Sequence, residues 1–183
     1  MYFDRQINER LRGLTSLKSL EILMEKIPRP FTPDKLNALV EKKDDLYQTY
    51  LRRFTPNDVF DGIADFVSSL KKEGFKLAIC STNKNVVDIL NYLKISHWFD
   101  AVVSGTESVE SKSDSAAFIL TAKRLGIEPE RCVVIENTFA GVCAVKNAGM
   151  KTLGIGFKLV LHNADYVLPS TEYLSMERVH LLY

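Results

Sequence analysis

The run Val133-Val134-Ile135-Glu136-Asn137-Thr138-Phe139-Ala140-Gly141 limits most tightly what this chain can fold into. Three consecutive β-branched residues read as a short buried strand of the kind found inside parallel sheets. The strand ends in a carboxylate and an amide. Beyond them Val142-Cys143-Ala144-Val145-Lys146-Asn147-Ala148 reads as a helix that Gly141 opens. Strand, polar turn and helix in this order form a βα unit, and ligands of open α/β sheets gather beyond the carboxyl ends of strands. Glu136 is on that ground a candidate for a metal or phosphate site. The plainer reading is a strand-to-helix turn capped by Asn137 or Thr138. These nine residues leave both open.

The rest of the chain supplies the sheet that such a unit needs. From Asp58 onward helices and strands alternate. A helix over 62–73 stops at Gly74, and a strand over 75–80 leads into Ser81-Thr82-Asn83-Lys84-Asn85. A helix over 86–93, a strand over 99–103, a polar loop holding Lys112 and a helix over 116–125 follow. After the helix that ends near Gly149 come a strand over 152–156 and an edge strand over 166–168. This alternation predicts a parallel sheet with helices on both faces. Residues 1–57 read as helices alone. One covers 5–11, and a second is capped by Thr15 or Ser16 and carries Leu17, Leu20, Ile22, Leu23 and Met24. A third starts at Thr32-Pro33-Asp34 and places Leu36, Leu39, Val40, Leu46, Tyr47, Tyr50 and Leu51 on one stripe. The expected organisation is a partial helical cap over 1–57 and an α/β core over 58–183.

Composition narrows the function classes. A net charge of +1 gives no basic surface for nucleic acid or an anionic membrane. No apolar run is long enough to span a bilayer, and the N-terminal residues show no secretory pattern. Cys80, Cys132 and Cys143 are odd in number and lack metal-site spacing, which points to a reducing compartment and to a cytoplasmic protein. His97, His162 and His180 are scattered and read as structural or surface residues.

Three strand-end or loop positions carry groups suited to phosphate chemistry. Ser81 ends a strand and can offer its hydroxyl, with backbone N–H groups behind it, to a phosphoryl oxygen; as a bland alternative it caps a helix. Lys112 precedes a helix, where a fixed ammonium neutralises phosphoryl charge, or else it is a solvated surface lysine. Glu136 can hold Mg²⁺ directly or through water. Their order makes the pattern recognisable. Leu77-Ala78-Ile79-Cys80-Ser81-Thr82-Asn83-Lys84-Asn85, Glu110-Ser111-Lys112-Ser113-Asp114 and Glu136-Asn137-Thr138-Phe139-Ala140-Gly141 resemble the second, third and fourth motifs of the haloacid dehalogenase (HAD) superfamily, in its β-phosphoglucomutase-like branch. Asn8-Glu9-Arg10-Leu11-Arg12-Gly13-Leu14-Thr15 and Lys43-Asp44-Asp45-Leu46-Tyr47 are similar to segments of that family's cap. The resemblance runs from Asp4 to about Leu174.

The resemblance implies a HAD-like Rossmannoid parallel sheet with a small helical cap, and Mg²⁺-dependent phosphoryl transfer on a small sugar phosphate. It assigns phosphoryl binding to Ser81 and Lys112. Contacts to the substrate fall to Arg12, Gly13, Lys43, Thr82, Asn83 and Lys84, and metal binding falls to Glu136 and Asn137. Several positions depart from the family pattern. The Asp-x-Asp that ends the family's first, central strand and supplies its nucleophile occurs nowhere in the 183 residues. Asn137 stands where the fourth motif has Asp, Ser113 where a Pro follows the lysine, and Ser16 where the mutase cap has Arg. The sequence therefore implies a sheet without its central strand, Mg²⁺ held weakly or lost, and self-association through the incomplete sheet. An inactive relative that binds phosphate or serves as an interaction module is the alternative to a truncated enzyme.

Overall fold

The computed structural model describes residues 7, 10–11, 16–25, 32–105 and 115–183. Two compact units divide between Phe54 and Thr55, slightly ahead of the 57/58 boundary read from the sequence. In the first unit helix α1 (Ser16–Met24) packs against α2 (Pro33–Leu51). Thr32 caps α2 by accepting a hydrogen bond from the Lys35 N–H, and Pro33 fills the first helical position, where a missing N–H costs nothing. The apolar stripe expected along α2 is not covered along its length. Leu51 is buried and Leu36, Leu39 and Val40 are partly covered, but Leu46, Tyr47 and Tyr50 are exposed. Nine residues of α1 against nineteen of α2 explain the difference. At about 1.5 Å per residue, the shorter helix covers only half of the longer one.

The second unit holds α3 (Ile63–Lys72), β1 (Ala78–Cys80), α4 (Val86–Tyr92), β2 (Ala101–Val103), α5 (Ser115–Leu125), β3 (Val133–Glu136), α6 (Phe139–Asn147), β4 (Lys151–Ile155), β5 (Tyr166–Leu168) and α7 (Met176–His180). Helix α3 shows how the sequence specifies these elements. Asp65 lies in its first turn and Lys71 and Lys72 in its last, each complementing the helix dipole, while Phe66, Val67 and Leu70 point inward. Gly74, at φ +79°, ends it. Strands β1 and β2 are shorter than the expected 75–80 and 99–103. At their entry the Asp100 carboxylate accepts the Leu77 N–H at 2.7 Å and faces Lys71 Nζ at 3.2 Å, so a side chain takes a place that main chain holds in a ladder.

All pairing is parallel. Ala78, Ile79 and Cys80 lie opposite Ala101, Val102 and Val103. Val133 to Glu136 lie opposite Lys151 to Gly154, and β4 pairs in turn with β5. Among the described residues the sheet is in two pieces, β1–β2 and β3–β4–β5. The same helices cover both. On one face Cys80 of β1 and Val134 of β3 pack against Phe118 and Ala122 of α5 and Ala144 and Val145 of α6. On the other, Leu77 and Val133 pack against Phe66 and Leu70 of α3. The break falls between the strand that ends at Ser81 and the strand that ends at Glu136, where the resemblance places the first strand.

Two side chains tie the second sheet piece down. Asp165 accepts the Thr152 N–H at 2.7 Å and faces Lys146 Nζ at 2.6 Å, joining β4 to the end of α6. Asp165 is thus a clamp between residues distant along the chain. Partial burial raises the Asp165 carboxyl, but the Lys146 hydrogen bond, the Thr152 N–H and the charges of Lys146 and Lys151 outweigh it and hold its pKa below the ordinary value. A carboxyl depressed on folding stabilises the fold above its unfolded pKa, and that contribution disappears as pH falls through the folded pKa. Asp165→Asn should therefore lower stability at neutral pH and weaken its decline into acid, as measured by urea unfolding over a pH series; an unchanged acid slope would exclude the clamp. Thr152 itself is fully buried, and its hydroxyl has no hydrogen-bond partner among the described residues. Thr152→Val keeps the shape and removes the unpaired hydroxyl, so it should raise stability by about 1 kcal/mol in the same assay. A loss of stability would mean that the hydroxyl is bonded.

Candidate functional site

Glu136 is the last residue of β3 and is 2% exposed. A buried carboxylate needs hydrogen bonds in place of water, and the turn that follows supplies them to one of its oxygens. Its Oε1 accepts the Asn137 N–H at 2.9 Å, the Thr138 N–H at 3.0 Å and the Thr138 hydroxyl at 2.9 Å. The Thr138 oxygen in turn accepts the Gly141 N–H at 3.0 Å. Thr138 rather than Asn137 is therefore the helix cap. Helix α6 begins at Phe139 and not after Gly141, because the capped turn already directs the chain into helix. The carboxylate lies at the N-terminal end of α6, where the helix dipole favours negative charge.

Gly141 has a role that the sequence reading missed. A Cβ on it would stand 2.3 Å from Glu136 Cδ and under 3 Å from both carboxylate oxygens. The glycine leaves the space that the carboxylate fills. Gly105, just past β2, is likewise pressed against the Thr82 carbonyl, which a Cβ would approach to 1.9 Å. The only local signals for these two constraints are the glycines themselves.

Ser81 follows β1 directly, and its N–H donates to Val103 O at 2.9 Å. Its hydroxyl oxygen accepts the Asn83 N–H at 3.1 Å, and Asn83 Oδ1 accepts the Asn85 N–H at 2.9 Å. Two side-chain turns in sequence thus shape residues 81–85 ahead of α4. The Ser81 oxygen accepts from the Asn83 N–H, and its hydroxyl hydrogen can still donate to a further acceptor. Thr82 and Asn83 are half-buried and Lys84 is exposed. Ser81 and Glu136 both lie at carboxyl ends of strands that share α5 and α6 as cover.

Arg12, Gly13 and Lys112 lie outside the described residues, and so does Ser113. Lys43 is an exposed residue of α2 in the helical unit. Asn137 is exposed beside the buried Glu136. As a test of Mg²⁺ binding, this donor set falls short. Mg²⁺ takes about six oxygens in strict octahedral geometry, whereas Glu136 and Asn137 offer one carboxylate and one amide, with Glu136 Oε1 already engaged by three donors. No group of three acidic, histidine or cysteine side chains suited to a metal occurs among the described residues.

Parallel βα units with serine- and glutamate-bearing turns at the strand ends define a Rossmann-like class of α/β protein. A haloacid dehalogenase-like hydrolase model matches residues 7–149. The chain is 33% identical over 180 residues to the β-phosphoglucomutase of Bacillus subtilis (strain 168), covering 97% of this chain and 80% of that one. The phosphorylated carbohydrates phosphatase of Thermotoga maritima is 24% identical over 153 residues, with coverage of 82% and 68%. The crystal structure of β-phosphoglucomutase from Clostridium difficile superposes with a TM-score of 0.90 at 29% identity, covering 99% of this chain and 82% of that one. The chain belongs to the haloacid dehalogenase superfamily, in its β-phosphoglucomutase-like branch. No helix among the described residues is long and apolar enough to cross a membrane.

The fit of Gly141 against Glu136 has a measurable consequence. In an ordinary helix Gly→Ala gains up to about 1 kcal/mol. Gly141→Ala should instead cost about 1–3 kcal/mol by overpacking. In a Glu136→Ala background the same substitution should be neutral or stabilising, so unfolding of the four proteins gives a large coupling energy. Additive effects would exclude the contact.

Proposed function

We propose that these 183 residues carry the phosphate-binding half of a β-phosphoglucomutase-like site and, by themselves, bind a phosphorylated sugar without turning it over. The observation that carries this reading is the Ser81 hydroxyl just past the end of β1, its oxygen fixed by the Asn83 N–H, set against a sequence in which no Asp-x-Asp occurs. Phosphoryl transfer through a phospho-enzyme requires a carboxylate nucleophile placed in line with the phosphorus. Glu136 does not meet that need, because it is buried and held by its own turn. In this reading Ser81 donates to a phosphoryl oxygen, and the N–H groups of its loop orient the phosphate. Lys112 balances the charge. Glu136 keeps the turn at the head of α6 in shape, and no step is routed through Mg²⁺. A phosphorylated sugar is the substrate class suggested by the names of the two curated relatives, a phosphoglucomutase and a carbohydrate phosphatase.

The test pairs turnover with binding. With β-glucose 1-phosphate or a generic phosphate monoester and Mg²⁺, the expected rate does not exceed that of the buffer. Inorganic phosphate should raise the thermal midpoint, and Ser81→Ala should weaken its binding about tenfold, the size of one charge-assisted hydrogen bond. Turnover abolished by Lys112→Ala would mean that another carboxylate acts as nucleophile and that the reading is wrong. Phosphate binding indifferent to both Ser81 and Lys112 would place the anion elsewhere.

A further inference from the structure

We propose that the cleft between α3 and the short turn Ser96–Trp98 is a binding site for a small aromatic monocarboxylate. The inference goes beyond the phosphate reading and does not rest on it. Ala64, Val67, Ser68 and Lys71 recur at three- and four-residue spacing and so share one face of α3. With His97 and Trp98 they line an open cleft of about 460 Å³, within the size range of small-molecule sites. Its base is apolar and fixed. Val67 is buried, and Trp98 packs against Val86, Leu90 and Ile95 while its main-chain N–H donates to the Ile95 carbonyl at 2.9 Å. Lys71 faces Asp100, which precedes β2 and accepts the Leu77 N–H at the entry to β1. The cleft therefore lies at the amino ends of these strands, whereas Ser81 lies past the carboxyl end of β1.

Ring geometry and charge select the ligand. The His97 and Trp98 rings stand at 75° to each other with centroids 6.1 Å apart. They form a corner in which a flat ring can face one of them and meet the other edge-on. Charge comes from Lys71. Its ammonium lies 3.2 and 3.3 Å from the two Asp100 oxygens, longer than a strong charge-assisted bond, and these contacts engage at most two of its three donors. Asp100 is held by the Leu77 N–H at 2.7 Å independently of Lys71. The ammonium can thus serve a second carboxylate without leaving the first unpartnered. Ser68 adds a hydroxyl to the lining that can donate to the same group. One lysine beside one aspartate suits a monoanion, because a phosphate dianion in that place would be repelled by Asp100.

Trp98 is the chain's single tryptophan, so its fluorescence and its one indole N–H resonance report on the cleft directly. The probe is benzoate, titrated into the full chain, with benzamide as the version that lacks the charge and cyclohexanecarboxylate as the version that lacks the aromatic ring. Saturable movement of both Trp98 signals in the millimolar range is expected for benzoate. Benzamide should bind about tenfold more weakly, and cyclohexanecarboxylate about fivefold. Lys71→Gln should cost about as much as the amide does, and Ala64→Phe, at an exposed position of the lining, should fill the cleft and abolish binding. Both variants alter exposed side chains, and an unchanged thermal midpoint checks that they fold. Saturating inorganic phosphate should leave the benzoate affinity unchanged. No saturable change, equal binding of either control, or indifference to Lys71→Gln or to Ala64→Phe would overturn the proposal. Displacement by phosphate would overturn it too, by placing the carboxylate in a phosphate site.

Discussion

The buried carboxylate of Glu136 is the constraint on which the second half of the fold depends. A nearly inaccessible charge is tolerable only when donors replace its water. Two N–H groups and one hydroxyl do so from the next two residues. That requirement sets the turn, the turn sets the first residue of α6, and α6 carries Lys146 to its clamp on Asp165. Through Asp165 the arrangement reaches the Thr152 N–H on β4. One acidic side chain thus links a strand end, a helix and the next strand. The residue that most resembles a metal ligand in the sequence is, in the structure, first an organiser of the backbone.

The interrupted sheet gives the site its particular character. Parallel sheets are normally covered on both faces and paired through their interior. Here the helices cover the faces while, among the described residues, the pairing stops between β1 and β3. The two strand ends that bear the candidate phosphate groups stand on either side of that break. Ser81 and Glu136 are held by their own turns. Local side-chain-to-backbone bonds explain why the recognisable parts of the site persist beside an incomplete sheet.

Much of this was legible in the sequence. The alternation after Asp58, the termination of α3 at Gly74 and the cap of α2 at Thr32 are local patterns with local physical causes, and they reappear in the structure. The Asp-x-Asp absence and the order of the Ser81 and Glu136 segments likewise pointed to the family and to the break in the sheet. What the sequence hid depends on distance along the chain. Nothing near Asp100 announces that it takes the Leu77 N–H from 23 residues away and so shortens a strand. Nothing near Asp165 announces Lys146. The stripe on α2 was read correctly as a stripe, but its coverage depends on the length of a different helix. Gly141 was read as the residue that opens a helix, whereas its importance lies in the volume it leaves to a side chain five positions earlier.

The two-piece sheet also bears on how the core opens. Amide groups exchange with solvent through cooperative units that follow contiguous packing. With no ladder joining β1–β2 to β3–β4–β5 among the described residues, the pieces are coupled there through side-chain packing under α5 and α6 and against α3. Packing alone couples units less tightly than a shared run of main-chain bonds. The β3–β4–β5 piece, with its buried carboxylate and its Lys146–Asp165 clamp, is expected to exchange more slowly. The β1–β2 piece, three residues to a strand, can open without it. Ser81 and Glu136 therefore belong to different opening units, so local unfolding separates the two halves of the site before the core as a whole is lost.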